Sequence, residues 1–259
     1  MEIRVLGCHG SQLPGCGLTG FLIDGTTLVD AGAVTSVLTL EEQVRIEHIL
    51  ITHAHLDHIR ELSSLADNLC YARRGTPLLV VAPEGVIEEL RTHIFNGAIW
   101  PDFSAIPNAD NPVLRFMAVR PGEASNLGHL RVTAVPVHHT VETVAYVVAA
   151  GTGRGAPAAV FIGDTGPTEE IWRVAGQDPV RAVFVETSLP DAREDLARLT
   201  GHLTPADLAG ELSKLGRANR PQIYLYHMKI QYLNEIQREI TLLENENIHV
   251  LSDGQIIRI

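Results

Sequence analysis

The chain has 259 residues, of which 45% are hydrophobic, and a formal charge of −11 at pH 7; Lys214 and Lys229 are its only lysines. That length suits one large α/β domain or two small ones, with about three-quarters of the extended surface buried on folding. The acidic balance argues against a protein that clamps long nucleic acids, which carries a basic footprint, and no apolar run approaches the ~20 residues of a membrane-spanning helix. A small anionic substrate stays compatible, because bound divalent cations reverse the local sign of charge. Cys8, Cys16 and Cys70 lack CxxC spacing and indicate neither a disulfide framework nor a zinc knuckle. With no basic and apolar leader pattern at the N-terminus, the expected compartment is the cytoplasm, where thiols stay reduced.

Short strand-like runs come first: "EIRVLG", "TGFLIDG", "TTLVDAG" and "RIEHILIT". The loop "HAHLDH" then leads into a helical pattern that places Leu62, Leu65, Ala66 and Leu69 on one face. A strand "LLVVAP", a helix "EGVIEELRTHIF" and the aromatic-rich stretch "FNGAIWPDFSAIP" follow. Next come "VLRFMAV", "HLRVTAVPV", "TVAYVVAAG" and "AAVFIGD", a helix "TEEIWRVAG" and the strand "AVFVETS". Thr204 followed by Pro205 is a helix start signal for "TPADLAGELSKLG". After the strand "QIYLYH", a long amphipathic helix "YLNEIQREITLLENE" precedes "IHVLSDGQIIRI", which reads as a closing hairpin around an Asp-Gly turn. Two β-rich halves carrying helices, with no repeat and no low-complexity linker, predict one domain over residues 1–259, built of two sheets between helical layers.

The window "HAHLDH" supplies His53, His55, Asp57 and His58 directly after an apolar strand. Imidazole and carboxylate are the usual ligands of zinc, manganese and iron. Side chains at a strand end and helix start are fixed by both elements, which suits a preorganised metal site. Four candidate ligands in six positions make a solvated polar loop a poor account of this segment.

"THAHLDH" resembles the HxHxDH signature of the metallo-β-lactamase superfamily. The resemblance implies an αββα sandwich and further ligands at later strand ends. His138 and His139 both follow "RVTAVPV"; the family's pattern of a histidine, six residues and a tyrosine matches His139 with Tyr146. Asp164 follows "AAVFIG" in the place of the family's bridging carboxylate, and His227 follows "QIYLY". By this carry-over one ion takes His53, His55 and His139, the other takes Asp57, His58 and His227, and Asp164 lies between them. The implied cofactors are two divalent ions, zinc first, with manganese or iron as alternatives. Glu61 departs from the family's DHxxG continuation, where a glycine is usual, and is expected to alter packing while leaving the ligands intact.

"FVETSLPD" and "TGHLTPADLA" are similar to paired elements of ribonuclease Z and of the class II cyclic-nucleotide phosphodiesterases. They offer Glu186 and His202 as a carboxylate–imidazole pair able to protonate a leaving alkoxide. The aromatic stretch resembles a segment of the phosphodiesterases, whereas the basic arm of ribonuclease Z is missing. The resemblance thus implies hydrolysis of 3′,5′-cyclic nucleotides to nucleoside 5′-monophosphates by a hydroxide held between two ions, with Asp57, His202 and Glu186 in catalytic roles. Asn96, Trp100 and Phe103 are expected to line the base-binding side of the pocket. The alternatives are a ribonuclease Z-like tRNA-processing endonuclease and a non-catalytic nucleotide sensor. The expected partner is the small cyclic nucleotide, without long nucleic acid or membrane, and a homodimer is left open.

Overall fold

The apolar runs of the sequence pair into two seven-stranded mixed sheets. A computed structural model describes all residues except 73, 74, 152, 154, 178 and 216–219. In the first sheet the strands run in the order Ile256–Arg258, Glu2–Gly7, Gly20–Ile23, Thr27–Val29, His48–Leu50, Leu78–Ala82, Leu114–Ala118. The second runs Ile248–Val250, Gln222–Tyr226, Val180–Glu186, Ala158–Phe161, Val144–Ala149, Leu130–Pro136, Ala124–Leu127. Each sheet contains a run of four parallel strands, beginning at Thr27–Val29 in one and at Ala158–Phe161 in the other. Carboxyl ends of such strands are where open α/β sheets place their sites.

Three apolar cores separate the layers. Between the sheets, Phe161 stacks on Phe184 at 4.6 Å, and Phe21 packs against both rings from the first sheet. Outside the first sheet, Leu62, Leu65, Ala66 and Leu69 of the helix Leu62–Tyr71 face the strands, as their spacing predicts. Outside the second, Trp172, Leu208, Ile236 and Ile240 come from three further helices. The result is the expected αββα sandwich. Tyr146 ties its layers together: its buried hydroxyl, in the second sheet, donates to the carbonyls of Ile51 and Val81 at the ends of first-sheet strands.

Three local expectations are corrected. "EGVIEELRTHIF" is not one regular helix: Glu84–Glu89 is α-helical and Leu90–Ile94 continues as a π-turn. The last two strands do not form a hairpin. Ile248–Val250 pairs in parallel with Gln222–Tyr226, whereas Ile256–Arg258 joins Glu2–Gly7 in the other sheet. The carboxylate of Asp253 accepts from the backbone N–H groups of Cys8 and Gly17, which draws the Asp-Gly turn across to the first sheet. A short helix over Glu194–Thr200, which the sequence pattern does not single out, ends at Gly201 with φ of 68°. A Cβ at Gly201 would meet His139 Nδ1 at 2.9 Å, so the left-handed turn and the close approach both require glycine there.

Glu61 has a definite packing role of its own. Its carboxylate accepts from the N–H groups of Val34 and Ser36 and the hydroxyl of Thr35, pinning the loop after Asp30. Burial opposes ionisation, but these donors prevail and hold Glu61 below the ordinary glutamate range. Its stabilisation is therefore full above the unfolded pKa and lost as pH falls through the lowered folded value. Glu61→Gln should destabilise the protein by about 1–3 kcal/mol at neutral pH, and urea denaturation across acidic pH should show that gap closing. A gap that is absent, or constant with pH, contradicts this role.

Candidate metal centre

The strand His48–Leu50 ends in Ile51 and Thr52, both buried, and the chain then turns into the short helix Leu56–Ile59. This turn delivers His53, His55, Asp57 and His58 to the cleft between the sheet ends. Asp164 follows the strand Ala158–Phe161, and His227 follows Gln222–Tyr226. His139 lies beyond the end of Leu130–Pro136, and its neighbour His138 is exposed. Potential donor atoms of His53, His55, His139 and Asp164 lie within 4.8 Å of one another, as do those of Asp57, His58 and His227. Asp164 adjoins both groups: its oxygens lie 3.7 Å from His53 Nε2, 3.3 Å from His58 Nε2 and 3.4 Å from His227 Nε2. All seven side chains named from the sequence as ligands are thus brought together.

A surrounding set of partners aims the imidazoles. His58 Nδ1 contacts the Asp30 carboxylate at 2.7 Å, His139 Nδ1 the Gly201 carbonyl at 2.8 Å and His227 Nδ1 the Ser188 hydroxyl at 2.8 Å. His53 Nδ1 contacts the Thr52 hydroxyl, which in turn donates to Asp30. Each contact occupies one ring nitrogen and leaves Nε2 for the cleft, the arrangement that fixes tautomer and direction in metal-binding histidines. Asp30, Thr52 and Ser188 are missed by sequence reasoning. The only signal for Asp30 is its place after the strand Thr27–Val29, and Ser188 reads as an ordinary loop residue. Asp30 and His227 both take left-handed backbone angles, φ of 58° and 66°, a conformation costing non-glycine residues about 1–3 kcal/mol and concentrated at functional sites.

These residues fit divalent cations. Among the described residues, buried His53 Nε2, His58 Nε2 and Asp164 Oδ1 make no hydrogen bond of good geometry; the last two face each other at 3.3 Å, and all three are aimed at one region. Leaving such atoms unpaired costs roughly 1–3 kcal/mol each, and an ion would satisfy them together. Burial, with His58 close by, holds His53 well below the ordinary histidine range, in the neutral form that ligates metals. Burial likewise lowers His55 and His139. Asp57 and Asp164 keep their charge despite burial, because His227 and His58 lie close to both carboxylates.

Glu186 and His202 also meet. Glu186 ends the strand Val180–Glu186 fully buried, and its Oε1 lies 2.8 Å from His202 Nδ1. The His202 ring sits 5.3 Å from that of His139 and 5.4 Å from that of His227, at the edge of the cluster. Burial would lower the His202 pKa, but the Glu186 carboxylate outweighs it and raises the value above the ordinary histidine range.

The aromatic stretch is a correction. Phe103 is 3% exposed and packs against Phe95 in the core outside the first sheet, so its ring cannot stack on a base without opening that core. Trp100 is half-buried against the same core and spends its indole N–H on the Ser63 carbonyl. Asn96 is exposed, and its amide closes its own turn with Thr92, Ala98 and Ile99. The segment is a packing plug, which suits the general weight of aromatics in buried contacts. His9 likewise joins Cys8 and Asp253, apart from the seven ligands.

Asp30 provides a direct test of the geometry. In Asp30→Asn the amide oxygen can still accept from Thr52, but the amide nitrogen cannot accept from His58. Metal affinity should fall by about 10- to 100-fold, measured by chelator competition, with the fold preserved by circular dichroism. Unchanged affinity would mean that Asp30 does not orient His58 for an ion.

Comparison with known proteins agrees with this geometry. Residues 22–228 match the family model described as "Beta-lactamase superfamily domain". A probable 3′,5′-cyclic-nucleotide phosphodiesterase of Yersinia pestis is 27% identical over 224 residues, covering 80% of this chain and 62% of that protein. A ribonuclease Z of Kineococcus radiotolerans is 30% identical over 158 residues, 57% of this chain and 48% of its own length. The chain therefore spans less than two-thirds of either relative. The crystal structure of unliganded yeast PDE1 superposes with a TM-score of 0.82 at 20% identity, covering 98% of each chain. A family model that runs from the first sheet to the residue after His227, on an αββα frame that gathers these ligands, places the chain in the beta-lactamase superfamily, with the metallo-β-lactamase fold.

Proposed function

We propose that the protein hydrolyses 3′,5′-cyclic nucleotides to nucleoside 5′-monophosphates at a dinuclear centre held by the seven clustered ligands. The observation that carries this reading is the His202–Glu186 pair set against that cluster. Ions bound there supply Lewis acidity, polarising the phosphoryl group and acidifying water. His53, His55 and His139 hold one position, Asp57, His58 and His227 the other, with Asp164 facing both. Glu186 accepts from His202 Nδ1, so His202 Nε2 is left to carry a proton toward the substrate. Burial opposes that proton, but the Glu186 carboxylate raises the pKa and so favours the protonated form a general acid requires. His202 then delivers it to the departing 3′-oxygen.

A charge of −11 fits a small singly charged ester better than a long polyanion. Zinc is the ion favoured by the histidine-rich donor set, with manganese and iron also suited to it. The second reading, tRNA 3′-processing, rests on the ribonuclease Z relative.

Turnover of the metal-loaded protein on cyclic AMP, cyclic GMP and a precursor tRNA separates the two readings: cyclic nucleotide cleavage to the 5′-monophosphate is expected. Cleavage of the tRNA alone would replace the first reading with the second. His202→Ala should lower kcat by roughly 10²–10⁴ with metal content unchanged. The defect should shrink on a phosphodiester with a nitrophenolate leaving group, which needs no proton. Equal losses on both substrates would give His202 a positioning role instead.

A further inference from the structure

Outside the seven ligands, a second group of metal-type donors comes together from the two ends of the chain. Cys8 Sγ lies 3.2 Å from Asp253 Oδ1, His9 Nδ1 lies 3.3 Å from the same oxygen, and the sulfur and imidazole nitrogen are 3.9 Å apart. Around a tetrahedral ion with bonds of about 2.0–2.3 Å, neighbouring donor atoms are separated by about 3.3–3.6 Å. The three atoms approach one face of such a polyhedron, with the sulfur–nitrogen edge at 3.9 Å needing to close by about 0.3–0.4 Å. Hydrogen bonding alone explains this arrangement less well. Asp253 Oδ1 also receives the Cys8 N–H at 3.1 Å, so one carboxylate oxygen faces three donors, one of them a weak thiol.

Charge and access point the same way. A thiolate and a carboxylate balance a divalent cation, with the imidazole neutral. Cys8 is buried, whereas Asp253 borders an open cavity of about 770 Å³, the side from which an ion would reach the three atoms. We propose that Cys8, His9 and Asp253 form a separate site for a sulfur-accepting divalent cation, zinc foremost. The ion would act as a clasp: the Cys8 carbonyl accepts from the His227 N–H, and Gly10 N–H donates to the Met228 carbonyl. It thereby locks the N-terminal loop and the Asp253 turn onto the strand end that presents His227.

Cobalt(II) tests this without relying on catalysis. The seven clustered ligands contain no sulfur, so a thiolate-to-cobalt charge-transfer band reports the second site whatever the first one does. Titrating the metal-free protein under a non-thiol reductant should produce the band; Cys8→Ser should abolish it and Cys70→Ser retain it. Should Cys8→Ser not fold, Asp253→Asn keeps the thiol and should weaken the cobalt titration followed at that band by more than about 10-fold. No band in the wild-type protein, or an unchanged band in Cys8→Ser, overturns the proposal. Loss of cyclic nucleotide hydrolysis with the band intact would touch only the reading of the first site.

Discussion

Five imidazoles and two carboxylates converge on one cleft, and His53, His58, Asp164 and His227 are almost completely removed from water. Desolvating that many polar groups is costly unless each has a partner. The surrounding structure supplies those partners on the outer side of each ring, from Asp30, Thr52, Ser188 and the Gly201 carbonyl. On the inner side, three atoms are left for something the polypeptide does not provide. A divalent ion is the group that resolves this imbalance, because it satisfies several donors at once and offsets their charge.

The two-sheet frame follows from that constraint. Parallel strands bring chain segments distant in sequence to a shared edge, and each ligand leaves a strand at the same end. Tyr146 spans the sheets beneath the cleft and keeps those ends in register. Ser188 links the ligand cluster to the His202–Glu186 pair: its hydroxyl contacts both His227 Nδ1 and Glu186 Oε2, and Glu186 holds His202. The ligand cluster and the His202–Glu186 pair thus share one buried hydrogen-bonded path.

Much of this was legible in the sequence, for a physical reason. Ligands crowded into "HAHLDH" announce themselves by local density, and His139, Asp164 and His227 each follow an apolar strand. The helix face of Leu62, Leu65, Ala66 and Leu69 was legible from its period. What could not be read were contacts set by tertiary approach. Asp30 becomes a partner of His58 only because its strand lies beside His48–Leu50. The Asp-Gly turn looked like a hairpin because its local chemistry is that of one; the Cys8 and Gly17 N–H groups redirect it. Phe103 and Trp100 carried a stacking signature in composition alone; burial assigns Phe103 to packing, and half-buried Trp100 leans on the same core.

The measurement closest to the central claim is an anomalous-scattering crystal structure of the zinc-loaded protein. Two peaks should appear about 3.5–4 Å apart, one against His53, His55 and His139 and the other against Asp57, His58 and His227, with Asp164 reaching both. A cleft holding a single ion, or none while the seven side chains keep their positions, would contradict the account.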